Sequence, residues 1–255
     1  MRRGAPNQPL DGYDPEPNSS RKDSEQAVTQ PQRQGARAGR GSPRLKPGVK
    51  KEQIVEIATD YFGRYGYEDT KWADVAAAVG IGSTALYHYF ESKQHCLYEI
   101  MVQAVVDFRE RFERNLAEND DWTDALVSML TSNFELTEQE VVRNRLLVAE
   151  MGRIGIARTL PREEAARSRA RVVIRELEFA WGTFLARGMQ QGLIPEADAK
   201  LMTRAVLGLY NSVWHWFRPG GTLAAEDVGR FIVCRQLAVL GCDPELAVGK
   251  FSAAA

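Results

Sequence analysis

Asp74-Val-Ala-Ala-Ala-Val-Gly80-Ile-Gly-Ser-Thr-Ala-Leu-Tyr-His-Tyr-Phe-Glu-Ser-Lys93 is the stretch whose reading decides the fold. It reads as two short helices meeting at a tight corner. Ala76 stands where two helices crossing near a right angle touch, Gly80 supplies the left-handed turn that ends the first, and Leu86 anchors the second. This small residue, glycine and aliphatic residue have the spacing of a helix-turn-helix, which offers its second helix to the major groove of DNA. Ser83 or Thr84 is expected to cap that second helix, which ends at Tyr89 or Phe90. Ala85, Leu86 and Phe90 form its inward set. Ser83, Thr84, Tyr87, His88 and Tyr89 are left outside, where a surface helix ordinarily carries Lys, Glu and Arg. Hydroxyls and flat rings there can hydrogen-bond phosphates and press on thymine methyl groups. A Tyr-rich helix packed against the rest of the same protein is the plainer alternative, but spacing and exposed chemistry agree on DNA.

Upstream, Ile54, Ile57, Ala58, Tyr61, Phe62 and Tyr65 recur at helical period, predicting a first helix over about 49–65 closed by Gly66. Thr70 or Asp69 is expected to cap the second, with Trp72 as a lid on the small three-helix core and Lys71 within reach of a phosphate. Downstream, Ser92 caps a long fourth helix. Lys93 in its first turn opposes the helix dipole, an oddity that a DNA phosphate at the helix start would explain.

Residues 51–97 resemble the DNA-binding domain of tetracycline-repressor (TetR) family transcription regulators. The resemblance rests on Ala58…Tyr61-Phe62…Gly66-Tyr67, on Asp74 to Gly80, and on Leu86-Tyr-His-Tyr-Phe90 followed by Ser92-Lys93. It implies DNA contacts from Ser83, Thr84, Tyr87, His88, Tyr89 and Lys93, with Lys71 added at the start of the second helix. Members commonly carry Ser or Thr where this chain has Lys71, and Arg where it has Ala73.

The chain has 255 residues and a net charge of −1, enough for one large or two small domains with a substantial core. Its charge is uneven. Residues 1–47 hold almost no aliphatic side chains and are expected to be disordered. Their acids lie early, whereas Arg33 to Lys51 contains seven cations and no acid. That segment suggests a basic arm along DNA phosphates; a merely solubilising tail is the alternative. Three cysteines, Cys96, Cys234 and Cys242, without a CxxC spacing, favour a reducing cytoplasm over disulfides or a structural zinc site. No apolar run suits a membrane span and no hydrophobic stretch follows the charged amino terminus, so a cytoplasmic protein without membrane partners is expected.

Everything after Asp120 reads helical, with no strand alternation, which makes the fold all-α. A three-helix head over residues 48–97, with the helix-turn-helix at about 70–90, precedes a helical bundle over 98–241 and a flexible end at 242–255. Helices are expected from Asp121, over 138–153, from Pro161 (loosened at Gly188 and Gly192), from Pro195 to Phe217, and from Ala224 to Leu240. A single short reading helix binds weakly, so a homodimer on a palindromic operator is expected, joined through the last two long helices. Met129, Phe134, Met151, Trp181, Phe184, Tyr210, Asn211 and Trp214 could line an apolar ligand pocket, although for each aromatic or methionine a core position is the commoner fate. The ending Tyr210-Asn-Ser-Val-Trp-His-Trp-Phe-Arg-Pro-Gly-Gly221 resembles the eighth helix of members that respond to fatty acyl-CoA or sterol-derived CoA thioesters.

The expected function is therefore a ligand-responsive repressor released from DNA by a small apolar or amphipathic effector, with no cofactor. Two other classes compete with it. An enzyme would need a catalytic or metal-binding constellation, and the three histidines give no HExxH, no nucleophile elbow and no phosphate-binding glycine loop. A helical interaction scaffold would have no use for Lys93 or the basic arm.

Overall fold

The computed structural model describes residues 51–247 and 251; the basic arm and most of the carboxyl end lie outside them. Among the described residues every regular element is helical: α1 (Lys51–Tyr65), α2 (Trp72–Val79), α3 (Ser83–Tyr89), α4 (Lys93–Glu118), α5 (Trp122–Ser132), α6 (Glu138–Glu150), α7 (Pro161–Gln190), α8 (Ala199–Trp216) and α9 (Ala225–Val239). Short 3-10 turns follow α6 (Met151–Gly155) and α9 (Pro244–Ala247). Among the described residues no helix is long and apolar enough to cross a membrane.

Local chemistry sets most of the boundaries. Gly80 ends α2 at φ 79° and ψ 27°, donating to Ala77, while Ile81 donates to Ala76. That pair of bonds satisfies the last carbonyls of α2 and redirects the chain into α3. Ser92 accepts from the His95 N–H and Asp121 from Thr123 and Asp124. Thr137 and Glu140 close a reciprocal capping box on α6.

Several expected boundaries move. Thr70 does not cap α2; its hydroxyl donates to the carbonyls of Tyr61 and Gly66, and Lys71 takes the cap position without a side-chain bond. Gly82, not Ser83 or Thr84, precedes α3, so neither hydroxyl is used as a cap. Asp198 rather than Pro195 opens α8 by accepting from Leu201. α7 runs unbroken through Gly188, which is buried because Trp122 lies against it. The expected flexible end is ordered in part: Ala247 is buried and Phe251 packs on the body core.

Two apolar cores result. The smaller gathers Ile54, Phe62, Val75, Ala76, Leu86, Phe90 and Ile100, and continues into Leu146, Ile154, Ala166 and Ala170 of the body. The larger is built around Phe112, Trp122, Leu126, Trp181, Phe184, Tyr210 and Leu237. The expected boundary at residues 97/98 falls within α4 and within the smaller core, so head and body share a seam. Trp72 meets Phe90 edge-on at 6.1 Å, as a lid would.

Candidate nucleic-acid interface and effector cavity

α3 turns its two faces in opposite directions. Ala85, Leu86 and the following Phe90 are buried, whereas Ser83, Thr84, Tyr87 and His88 are exposed and Tyr89 is half-buried. Tyr87, with 51% of its surface accessible, is a large aromatic side chain kept in water on a helix whose other face is sealed. Lys71 is exposed just before the start of α2. These side chains can reach base edges and phosphates without any part of the core opening.

Lys93 is placed differently. Its ammonium donates to the carbonyls of Tyr67 (2.6 Å), Glu68 (3.1 Å) and Thr70 (3.0 Å) and lies 4.4 Å from the centre of the Tyr67 ring. Those three bonds use all the donors an ammonium has. The cation at the start of α4 is thus explained by the carbonyls of the α1–α2 connection, which it ties to α4, and no phosphate is required.

The far end of α3 is held by the body. Arg162, in the first turn of α7, donates to the carbonyls of His88 (3.2 Å) and Tyr89. Glu91 reciprocates by accepting from the backbone N–H groups of Arg162 (2.7 Å) and Glu163 (3.0 Å), placing a carboxylate on the positive end of α7. Ser92 adds a bond to Glu163 at 2.6 Å. Nearby, Glu99 joins Lys51, His95 and Arg169. Burial alone would raise its pKa, but hydrogen bonds from those three groups hold the carboxyl well below the usual range. The sequence gives no sign of this clamp, because its partners are 71 to 74 positions apart.

The body holds a cavity of about 310 Å³ between α4, α6, α7 and α8. Of the residues expected to line it, Met151, Tyr210, Asn211 and Trp214 do. Met129, Trp181 and Phe184 do not; they are buried in the larger core, where Trp181 meets Phe112 and Trp122 stacks on Phe184 at 5.0 Å. Phe134 also lies elsewhere, bordering a groove near α9 while packing on Tyr210 and Trp214. The cavity wall is otherwise mostly apolar, with Phe108, Leu147 and Leu207, and carries polar groups the sequence did not reveal, Asn144, Glu178 and Arg204. Asn144 donates to the Tyr210 hydroxyl at 3.1 Å, and burial raises the pKa of that phenol. Glu178 and Arg204 also border an open groove of about 640 Å³ between α7 and α8, which adds Arg175 and Lys200. Apolar cavity and cationic groove thus adjoin.

Residues 54–100 match the family profile described as bacterial regulatory proteins, tetR family, and residues 136–239 match the tetracyclin repressor-like, C-terminal domain. The HTH-type transcriptional repressor KstR2 of Mycolicibacterium smegmatis is 25% identical over 72% of this chain and 87% of its own length. Among solved structures, the TetR family transcriptional regulator PfmR of Thermus thermophilus is 30% identical, covering 74% of this chain and 98% of that one, with a TM-score of 0.60. AibR, solved in complex with isovaleryl coenzyme A and operator DNA, is 21% identical, covers 76% of this chain and 98% of its own, and has the same TM-score of 0.60, a likeness of fold.

Proposed function

Because the chain belongs to the tetR family of DNA-binding transcription regulators, and is therefore not an enzyme, we propose that it is a dimeric repressor released from a palindromic operator by a CoA thioester. The observation that carries the DNA half is α3, sealed on one side by Ala85 and Leu86 and open on the other at Ser83, Thr84, Tyr87 and His88. Ser83, Thr84, Tyr87 and His88 are assigned to the groove, with Tyr89 at its edge and Lys71 on a phosphate. Lys93 positions the α1–α2 connection.

Dimerisation is assigned to α8 and α9. Leu201, Trp216, Phe231 and Val239 stand exposed on these two helices, more apolar surface than an isolated chain needs. A two-fold pairing of that face buries it and sets two reading helices on one duplex.

The effector is assigned to the cavity under Tyr210 and Asn211. Its apolar wall suits an acyl or ring system, and the adjoining Arg175, Lys200 and Arg204 suit the phosphates of coenzyme A. KstR2 and AibR, relatives named above, are a repressor and a protein solved with a CoA thioester. Repression is lifted to the extent that the thioester binds the released conformation more tightly than the DNA-bound one. Acting on DNA places the protein in the bacterial cytoplasm.

A fluorescence-anisotropy titration with duplexes tiling the DNA around its own reading frame tests the reading. Wild type is expected to bind one palindrome as a dimer, Tyr87→Ala to lose that binding while remaining dimeric, and an acyl-CoA to release the wild-type complex. Binding of Tyr87→Ala with wild-type affinity would refute the assignment of α3.

A further inference from the structure

A second polar cavity lies where the head meets the body. Of about 200 Å³, it is bordered by Phe62, Gly63 and the Gly66–Tyr67 turn on the head side, and by α6 and the end of α8 on the body side. Two guanidinium groups, Arg145 and Arg218, and the imidazole of His215 share its wall. Glu150, the carboxylate on that wall, is already bound by Arg153. Arg218 donates only to backbone, the carbonyls of His215 (3.3 Å) and Phe217 (3.0 Å). Arg145 has neither an ion pair nor a hydrogen bond among the described residues, and its Nε is buried without an acceptor. Two other little-exposed arginines nearby are paired with acids: Arg143 with Asp107, and Arg111 with Glu140.

Two like charges facing one small cavity without a free acid are unfavourable. Burial first, and then the charge of Arg218, lower the pKa of Arg145. A guanidinium does not relieve this by losing its proton in a protein; water reaching the cleft solvates the pair, and a bound anion would also offset its charge. That space has room for a phosphoryl group. Guanidinium forks match tetrahedral oxyanions in charge and geometry.

We propose that the Arg145–Arg218 cleft is a binding site for a phosphate-type oxyanion, separate from the effector cavity. The site sits at a close seam, since a Cβ on Gly63 of α1 would come within 2.6 Å of Val142 on α6. An anion there touches α6 and α8 on one side and the α1 end on the other, so its occupancy fixes how the head sits on the body. The proposal needs no DNA binding and stands or falls independently of the repressor reading.

The full-length protein is titrated with inorganic phosphate at constant ionic strength, chloride making up the balance, and followed by calorimetry and thermal unfolding. A saturable rise in Tm is expected. Arg145→Gln and Arg218→Gln should each weaken phosphate binding by about tenfold or more. Their unliganded Tm should match or exceed that of the wild type, because a repulsion has gone. Arg171→Gln, exposed on α7 and bordering neither cavity nor groove, should leave phosphate binding unchanged. Should Arg145→Gln fail to fold, the exposed Arg218→Gln carries the test. A rise in Tm that never saturates and is equal in all variants is general anion exclusion and overturns the proposal. Coenzyme A as titrant distinguishes the source: protection with the same dependence on Arg145 makes the occupant a phosphate of a larger ligand. No phosphate binding, with an operator salt slope lowered by about one per protomer in Arg145→Gln, assigns the arginines to the DNA backbone and overturns the small-anion site.

Discussion

Replacing Arg162 by alanine isolates the contact between the body and the reading helix. The substitution removes two guanidinium bonds to the carbonyls of His88 and Tyr89 but spares the backbone bonds from residues 162 and 163 to Glu91. α3 has only seven residues, and its buried set within the helix is Ala85 and Leu86, so its last turn depends on that outside support. Because Arg162 is exposed, each bond contributes a screened value of about 0.5–0.8 kcal/mol, or roughly 1–1.5 kcal/mol for the pair. The proposed dimer must order two reading helices at once, which doubles the cost to about 2–3 kcal/mol and predicts operator affinity lower by about 30- to 150-fold. Global stability should fall only modestly, with a Tm shift of about 2–6 °C, since no core residue is touched. Anisotropy titrations at several salt concentrations give affinity and slope together. Positioning predicts weaker binding with the slope preserved, whereas a lost phosphate contact lowers the slope by about one per protomer. Arg171→Ala, exposed further along α7, controls for the missing charge. Affinity within about twofold of wild type, or a loss fully explained by a shallower slope, would refute the reasoning.

Two glycines of α7 should respond oppositely to alanine. A Cβ at Gly188 would stand 2.3 Å from the Trp122 ring, whose N–H donates to the Phe184 carbonyl, so Gly188→Ala should lose about 2–4 kcal/mol in urea unfolding. At Gly182 the nearest atom is 3.5 Å away, and Gly182→Ala should gain about 0.5–1 kcal/mol; equal effects would contradict the packing described. The depressed pKa of Glu99 contributes stability that is fully present above the ordinary carboxylate value of about 4.3 and lost as pH falls below it toward the folded value. The wild-type urea midpoint should therefore drop more steeply than that of Glu99→Gln between about pH 5 and pH 3, and parallel curves would remove Glu99 from the acid response. Leu207→Trp, at the cavity wall, should leave operator binding within about twofold yet abolish release by an acyl-CoA. Normal release would place the effector elsewhere.

What could be read from the sequence was local. Ala76, Gly80 and Leu86 act within a few residues of one another, and the pattern of Ser83 to Phe90 divides a two-turn helix into inner and outer faces without reference to the rest of the chain. Where a residue's role depends on a distant partner, periodicity says nothing. Lys93 looked like a phosphate ligand because the carbonyls of Tyr67, Glu68 and Thr70 are about twenty-five positions away. Trp181, Phe184 and Met129 could not be separated from Tyr210 and Trp214 by type, since a core and a cavity wall use the same side chains. Gly188 looked like a weak point in α7 because the tryptophan that requires its small size comes from α5. Asn144 and Arg204 carry no pattern of their own in the sequence, and only the assembled bundle sets them on the wall of a hollow.

The seam through the smaller core bears on how such proteins are recombined. Leu146, Ile154, Ala166 and Ala170 pack with the residues of the DNA-reading unit, and α7 supplies Arg162 to its last turn. A graft that cuts at residue 97 would carry the recognition motif to a foreign sensor but strip it of that bed. Hybrid regulators built from this protein should transplant the segment 146–170 along with the head, or redesign it to suit the recipient, because specificity for a DNA sequence and the footing that aims it are encoded in separate parts of the chain.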